Sequence, residues 1–143
     1  LRTIEGQLYL GNNDKLPNLI GLNNLTSIGG RFYLKSNDAL KNLIGLDKLE
    51  YIGEQFAIEF NDSITNLIGL EYLTTIGGSL GIYDNNNLTS LTGLECLTSI
   101  EYDMIHYIIL TGWKTLHLRQ LIYYELNIIL PYQIAMFKAF VNT

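Results

Sequence analysis

Few residues of this chain are of types that do chemistry. His106 and His117 are its two histidines, and Cys96 is its one cysteine. No serine–histidine–aspartate or cysteine–histidine spacing joins them, so nucleophilic catalysis has no visible machinery. No second ligand type is spaced to make either histidine part of a metal site. A single cysteine excludes both an intrachain disulfide and a thiolate cluster. The expectation is therefore no enzyme, no metal and no cofactor. Two polar sets do recur at fixed spacing. Asp14, Asp38 and Asp62 are evenly spaced, and Asn86 completes the series. They are either a calcium-binding column or a solvated, turn-capping edge, where like charges repel modestly in water. Asn13, Asn37, Asn61 and Asn85 follow the same interval. An amide carries both donors and acceptors, so this second column can bond a backbone bend and the chain on either side of it.

The interval of 24 belongs to the whole chain and not only to its polar residues. The pattern Leu-x-x-Ile-Gly-Gly-x-Leu-x-Ile-x-x-Asn, read at Leu73 to Asn85, recurs from Leu1, Leu25 and Leu49 and begins again at Leu97, without insertion. Position four is Ile4, Ile28, Ile52, Ile76 and Ile100. Position eight is Leu8, Phe32, Phe56 and Leu80, and position ten is Leu10, Leu34, Ile58 and Ile82. Later come Leu16, Leu40, Ile64 and Leu88, then Leu19, Leu43, Leu67 and Leu91. Gly21-Leu22, Gly45-Leu46, Gly69-Leu70 and Gly93-Leu94 close the coils. A period in this range marks a stacked-repeat solenoid. One coil points about seven apolar side chains inward and cannot hide them alone, so its neighbours must cover it.

Positions seven to eleven alternate as a half-buried strand does. The Leu-x-x-Ile segment before them also reads as extended. The pairs Gly29-Gly30 and Gly77-Gly78 stand between the two, where a corner needs positive φ or a close backbone approach. Positions fourteen to twenty read as a helical turn, a 3₁₀ turn or extended chain. The Asn column at the strand's end is a hydrogen-bonded ladder or a series of plain turn formers. A plain turn would admit Gly or Asp in at least one of the four coils.

Residues that the frame leaves free are those that could recognise something. The odd strand positions face outward: Gln7, Tyr9 and Gly11; Arg31, Tyr33 and Lys35; Gln55, Ala57 and Glu59; Ser79, Gly81 and Tyr83. Coils about 4.8 Å apart set Tyr9 beside Tyr33 and Lys35 beside Glu59. Tyr and Arg are favoured at binding hot spots. Tyr9, Arg31, Tyr33, Lys35, Glu59 and Tyr83 are accordingly the candidate ligand-binding face. The competing reading makes them ordinary cross-strand pairs on a solvated sheet.

The block Leu80-Gly81-Ile82-Tyr83-Asp84-Asn85-Asn86-Asn87-Leu88 resembles the leucine-rich-repeat signature Leu-x-Leu-x-x-Asn-x-Leu, with one extra residue between Asn and Leu. The longer frame Gly-Leu-x-x-Leu-x-x-Ile-Gly-Gly-x-Leu-x-Ile resembles the receptor L-domain variant, over residues 1 to about 100. The resemblance implies a right-handed parallel β-solenoid of the horseshoe class, mostly β with short helical or 3₁₀ turns. It also implies an extracellular or cell-surface binding role. It carries over no catalytic residue.

The frame ends at Ile100. Continued, it would put Met104 at position eight and His106 at position ten, and 12 of the 13 glycines precede residue 101. Residues 101–143 form an apolar tail with three open readings. One is a cap over the last coil. Another is a membrane-associated segment, for which Leu121 to Val141 is long enough, but Glu125, Asn127, Pro131, Gln133 and Lys138 make it a poor span. The third is out-of-frame translation. Reading one nucleotide later through Gly112-Trp113-Lys114, permitted codons give x-Gly-Lys-Leu-Tyr-Ile-Tyr-Gly-Asn over residues 112–120, a repeat strand with its Asn.

The remaining features set limits. The chain has 143 residues, room for one ordinary domain, with a net charge of −5. Nucleic acid is a poor partner for it, since phosphate binding needs a basic stripe. Leu1 enters the frame partway through a coil, so upstream coils and any signal peptide are expected to be missing. Asn24-Leu25-Thr26, Asn61-Asp62-Ser63 and Asn87-Leu88-Thr89 match the glycosylation pattern, although a glycan on Asn61 would conflict with a ladder. Two functions follow as expectations. One is a non-enzymatic binding or adhesion module that reads a protein, peptide or glycan on its long sheet. The other is a structural spacer with no ligand of its own.

Overall fold

The computed structural model describes residues 1–100 and the backbone of residues 108–111. Each coil contributes one two-residue strand and one four-residue strand. The short strands are β1 (Thr3–Ile4), β3 (Ser27–Ile28), β5 (Tyr51–Ile52), β7 (Thr75–Ile76) and β9 (Ser99–Ile100). The long strands are β2 (Leu8–Gly11), β4 (Phe32–Lys35), β6 (Phe56–Glu59), β8 (Leu80–Tyr83) and β10 (Ile108–Thr111). They form two five-stranded sheets, β1-β3-β5-β7-β9 and β2-β4-β6-β8-β10, parallel throughout. Through β9 every register step is one sequence period, as in Leu8↔Phe32, Phe32↔Phe56 and Phe56↔Leu80. The chain is a parallel β-solenoid of about four coils.

The inward columns make one continuous core. In the third coil Leu49, Ile52, Phe56, Ile58, Ile64, Leu67 and Leu70 are all fully buried. Each such side chain contributes about 1.5–3 kcal/mol relative to exposure, a gain available only because a coil lies on either side. Phe32 and Phe56 stack at 4.8 Å between ring centroids and 7° between planes, one coil above the other. In the first coil Ile4, Leu8, Leu10, Leu16 and Leu22 are only partly covered.

The connections resolve the choices left open by the pattern. No helix occurs among the described residues. After each strand a tight turn runs from the ladder Asn: the Leu40 N–H donates to Asn37 O at 3.0 Å and the Ile64 N–H to Asn61 O at 3.1 Å. Further on, the Asn42 and Asn66 side-chain oxygens accept the N–H groups of Ile44 and Ile68 at 3.2 and 3.1 Å. Such local amide bonds compete with helix formation, and the segment stays extended between turns. At the Gly-Gly corners the close approach decides, not positive φ. A Cβ on Gly29 would overlap the Glu5 carbonyl, and one on Gly77 the Gly53 carbonyl. Positive φ falls elsewhere, at Gly45, Gly69 and Gly93 (φ +112 to +114°).

Past β9 the spacing changes. β10 pairs with β8 through Ile108↔Leu80, whereas the repeat frame would set Met104 opposite Leu80. The fifth long strand thus begins later than one period would place it. The three readings of the tail, and the two histidines, lie outside the described residues.

Candidate functional site

The outer face of the long-strand sheet is built by the register itself. Tyr9 pairs with Tyr33, then Ala57 and Gly81, while Gly11, Lys35, Glu59 and Tyr83 run alongside. Tyr9 and Tyr33 do lie side by side, though their rings are tilted by 53° at 6.4 Å between centroids and do not stack flat. That geometry remains within the favourable range for aromatic pairs. Lys35 Nζ meets Glu59 Oε2 at 3.3 Å. Arg31 pairs not along its own column but with Glu54, Nε to Oε2 at 3.0 Å. The Tyr33 hydroxyl donates to Gln55 Oε1 at 3.1 Å. Tyr9 is 53 % exposed, and Tyr33 and Tyr83 are half-buried.

Two outward positions are not open to solvent. Ala57 is fully buried and Gly81 is buried. At Gly81 the Tyr83 ring folds back over the backbone, where a Cβ would overlap it. Tyr9 lies over Gly11 in the same manner. Small residues beside large rings give these rings a floor on which to lie flat along the sheet.

The electrostatics follow from the same packing. Partial burial pushes the Tyr83 phenol above its usual 10.0, and the nearby Glu59 and then Tyr33 add to the shift. Tyr33 first, and then Glu54, favour the charged form of Arg31. A phenol held neutral contributes stability that is complete below the unfolded pKa and is lost as pH rises through the folded one. The stability of the wild type relative to Tyr83→Phe should therefore be constant to about pH 10 and decline above it. A difference in denaturation midpoint that stays constant through the alkaline range would refute this assignment.

One residue of the face escapes the strand alternation. Phe60 follows β6 at position twelve, where all four coils adopt left-handed backbone: Asn12 (φ 57°), Ser36 (φ 53°), Phe60 (φ 53°) and Asp84 (φ 49°). It is 46 % exposed, and Lys35 Nζ lies 5.5 Å from its ring centroid. The available signal is its company, since a bulky aromatic stands in a column of small polar residues.

The Asn column lies at the edge of this face and fixes its strands. In each of the inner coils the amide nitrogen spans three oxygens. Asn61 Nδ2 donates to Leu34 O (2.9 Å) in the coil before, to its own coil's Glu59 O (2.9 Å) and to Asn85 Oδ1 (3.2 Å) in the next. Asn37 and Asn61 are fully buried and Asn85 nearly so, whereas Asn13 is exposed. The Asp column is exposed at Asp14, Asp38 and Asp62, and Asp62 Oδ1 accepts the Asn86 backbone N–H at 3.1 Å. No group of three or more metal-ligating side chains occurs among the described residues. Cys96 is an exposed free thiol. No helix among the described residues is long and apolar enough to cross a membrane.

Fold and face together define a parallel β-solenoid of evenly repeated coils with an aromatic, charge-paired outer sheet. Comparison with protein-family models, with curated proteins and with solved structures yields no match for the chain.

Proposed function

We propose that the chain is a non-enzymatic binding or adhesion module, working outside the cell or at its surface, and that its ligand is a protein, peptide or glycan laid across the long-strand sheet. The finer kinship proposed is with leucine-rich repeats of the receptor L-domain kind, with right-handed coils; the Asn ladder and the Gly-Leu closures support it. The observation that carries the functional reading is the Tyr9–Tyr33 ring pair, held beside Arg31 at positions where packing requires neither aromatics nor charge. An exposed tyrosine offers a large, rigid contact area with a polar tip.

The test is a variant in which Tyr9, Arg31 and Tyr33 all become Ala, screened beside the wild type against panels of secreted proteins, peptides and oligosaccharides. A ligand of the wild type should lose at least about tenfold in affinity, equivalent to about 1.4 kcal/mol, while the melting temperature stays close to that of the wild type. The spacer reading has its own support, because Lys35–Glu59 and Tyr33–Gln55 satisfy one another within the face. A silent triple variant together with an empty screen would establish the spacer instead.

A further inference from the structure

The tripeptides Asn24-Leu25-Thr26, Asn61-Asp62-Ser63 and Asn87-Leu88-Thr89 share the N-glycosylation pattern, and the fold treats their acceptor nitrogens differently. Asn61 Nδ2 is closed. The side chain is fully buried, and the nitrogen is held among Leu34 O, Glu59 O and Asn85 Oδ1. A sugar on it needs the space that the coils on either side occupy, so modification and the ladder exclude each other. Asn87 is exposed, but its Nδ2 donates to Asp62 O at 2.7 Å.

Asn24 Nδ2 is open. The residue is exposed. Among the described residues its side chain bonds through the oxygen alone, which accepts from Lys48 Nζ at 3.2 Å. A group on the nitrogen leaves that oxygen where it is. The column shows that there is room. Lys48, Tyr72 and Cys96 hold the same position in the other coils and are all exposed, Tyr72 by 63 %. A bulky, solvating glycan belongs at such a surface position.

We propose that Asn24 is an acceptor for an N-linked oligosaccharide and that Asn61 carries none in the folded chain. Asn24 Nδ2 bonds to C1 of a sugar carried on a polyprenyl pyrophosphate. The pyrophosphate leaves with the electron pair of the broken C1–O bond, and the nitrogen gives up one proton. In the fold Leu25 is fully buried and Thr26 Oγ1 donates to Arg2 O at 3.1 Å. The tripeptide cannot be lifted out without parting the first two coils, so transfer precedes folding. The enzyme then meets Asn61 before the ladder closes over it, and a chain modified there cannot complete its core. The proposal rests on the reading of the chain as a protein working outside the cell.

The experiment expresses the full chain behind a secretory leader in a eukaryotic host and reads each site by peptide mass spectrometry of the secreted, folded protein. Asn24 should carry a glycan and Asn61 none. Asn24→Gln should lose the mass of that glycan, yet melt within about 2 °C of the glycosylated wild type, because the sugar touches no core residue. Ser63→Ala, which removes the pattern at Asn61 and keeps the ladder amide, should be secreted at least as well as the wild type. If only this variant is secreted, the exclusion at Asn61 stands and Asn24 is read on the variant. An unmodified Asn24, or a larger difference in melting temperature, would overturn the acceptor. A glycan on Asn61 in folded chains would overturn the exclusion. The leader imposes the route, so failure at Asn24 leaves the proposed location standing. Surface labelling of the chain in its own cells tests the location separately, and its absence from the surface would sink that reading while Asn24 remained a competent acceptor.

Discussion

Asn61→Ala is expected to lower the unfolding free energy by about 3 kcal/mol, a large share of the roughly 5–15 kcal/mol that holds an ordinary domain folded. The side chain is fully buried, so water cannot replace what it supplies. Its Oδ1 accepts the Asn37 backbone N–H at 3.0 Å and Asn37 Nδ2 at 3.1 Å. Its Nδ2 donates to Leu34 O and Glu59 O, both at 2.9 Å. Alanine removes these partners at once from groups in three places: the coil above, the strand end of the same coil, and the next ladder residue. Each buried donor or acceptor left unmet costs about 1–3 kcal/mol. Asn61→Asp should fare little better, because it keeps an acceptor for Asn37 but has no donor for Leu34 O and sets carboxylate against Asn85 Oδ1.

Asn13→Ala provides the contrast. Asn13 is exposed, and its amide donates only to Gly11 O and Asn37 Oδ1. The Gly11 O bond is exposed, and Asn37 Oδ1 keeps the Asn13 backbone N–H at 3.2 Å, so its loss should cost less than about 1 kcal/mol. Urea denaturation with a common slope separates the two cases. Equal losses at the two positions would mean that the ladder acts as a set of independent turn formers and that burial is irrelevant to it.

The sequence made columns legible and contacts less so. A constant period without insertion sets Tyr9 against Tyr33 and Lys35 against Glu59 before the fold is known, because a parallel stack converts sequence period directly into neighbourhood. It also marks Asn37 and Asn61 as equivalent. It does not say which way a ring will lie. Tyr83 turns over Gly81 and buries an outward position, and Tyr33 reaches Gln55 at position seven instead of lying flat on Tyr9. Those choices depend on the size of the neighbouring residues, and a column is read one position at a time.

Position twelve shows another limit. Asn12, Ser36, Phe60 and Asp84 share a backbone conformation but no side-chain type, so the left-handed bend leaves no single-letter mark. The sequence shows Phe60 as the one aromatic in that column, and the four φ values add that it stands on left-handed backbone. The fifth long strand, which meets Leu80 with Ile108 in place of Met104, is invisible for a different reason. Strand pairing in a sheet is satisfied by backbone, and a short apolar segment can supply it out of frame.

Gly69→Ala should be more damaging than any substitution on the outer face of the long-strand sheet, at about 4 kcal/mol. Gly69 has φ +112°, where a side chain is strained whatever the space around it. The space is also taken: an added Cβ would overlap the Leu43 carbonyl of the coil before. Backbone cannot swing aside as a side-chain tip can. The Leu43 N–H donates to Ile68 O at 2.8 Å at this same corner, so making room means parting the coils there. Leu43, Leu67 and Leu70, all fully buried, would lose contact as they part. Gly21 fills the same place in the first coil and is the control. Nothing lies within 4 Å of a Cβ built on it, and its φ is not positive. Gly21→Ala should therefore melt with the wild type, while Gly69→Ala unfolds at much lower urea or fails to fold. The consequence reaches the outer sheet, because Tyr33 meets Gln55 and Lys35 meets Glu59 only while adjacent coils keep their spacing. If Gly69→Ala folds with an unchanged midpoint, the coils are not held apart by backbone contact at this corner, and the alignment of the outer sheet must rest on the Asn ladder alone.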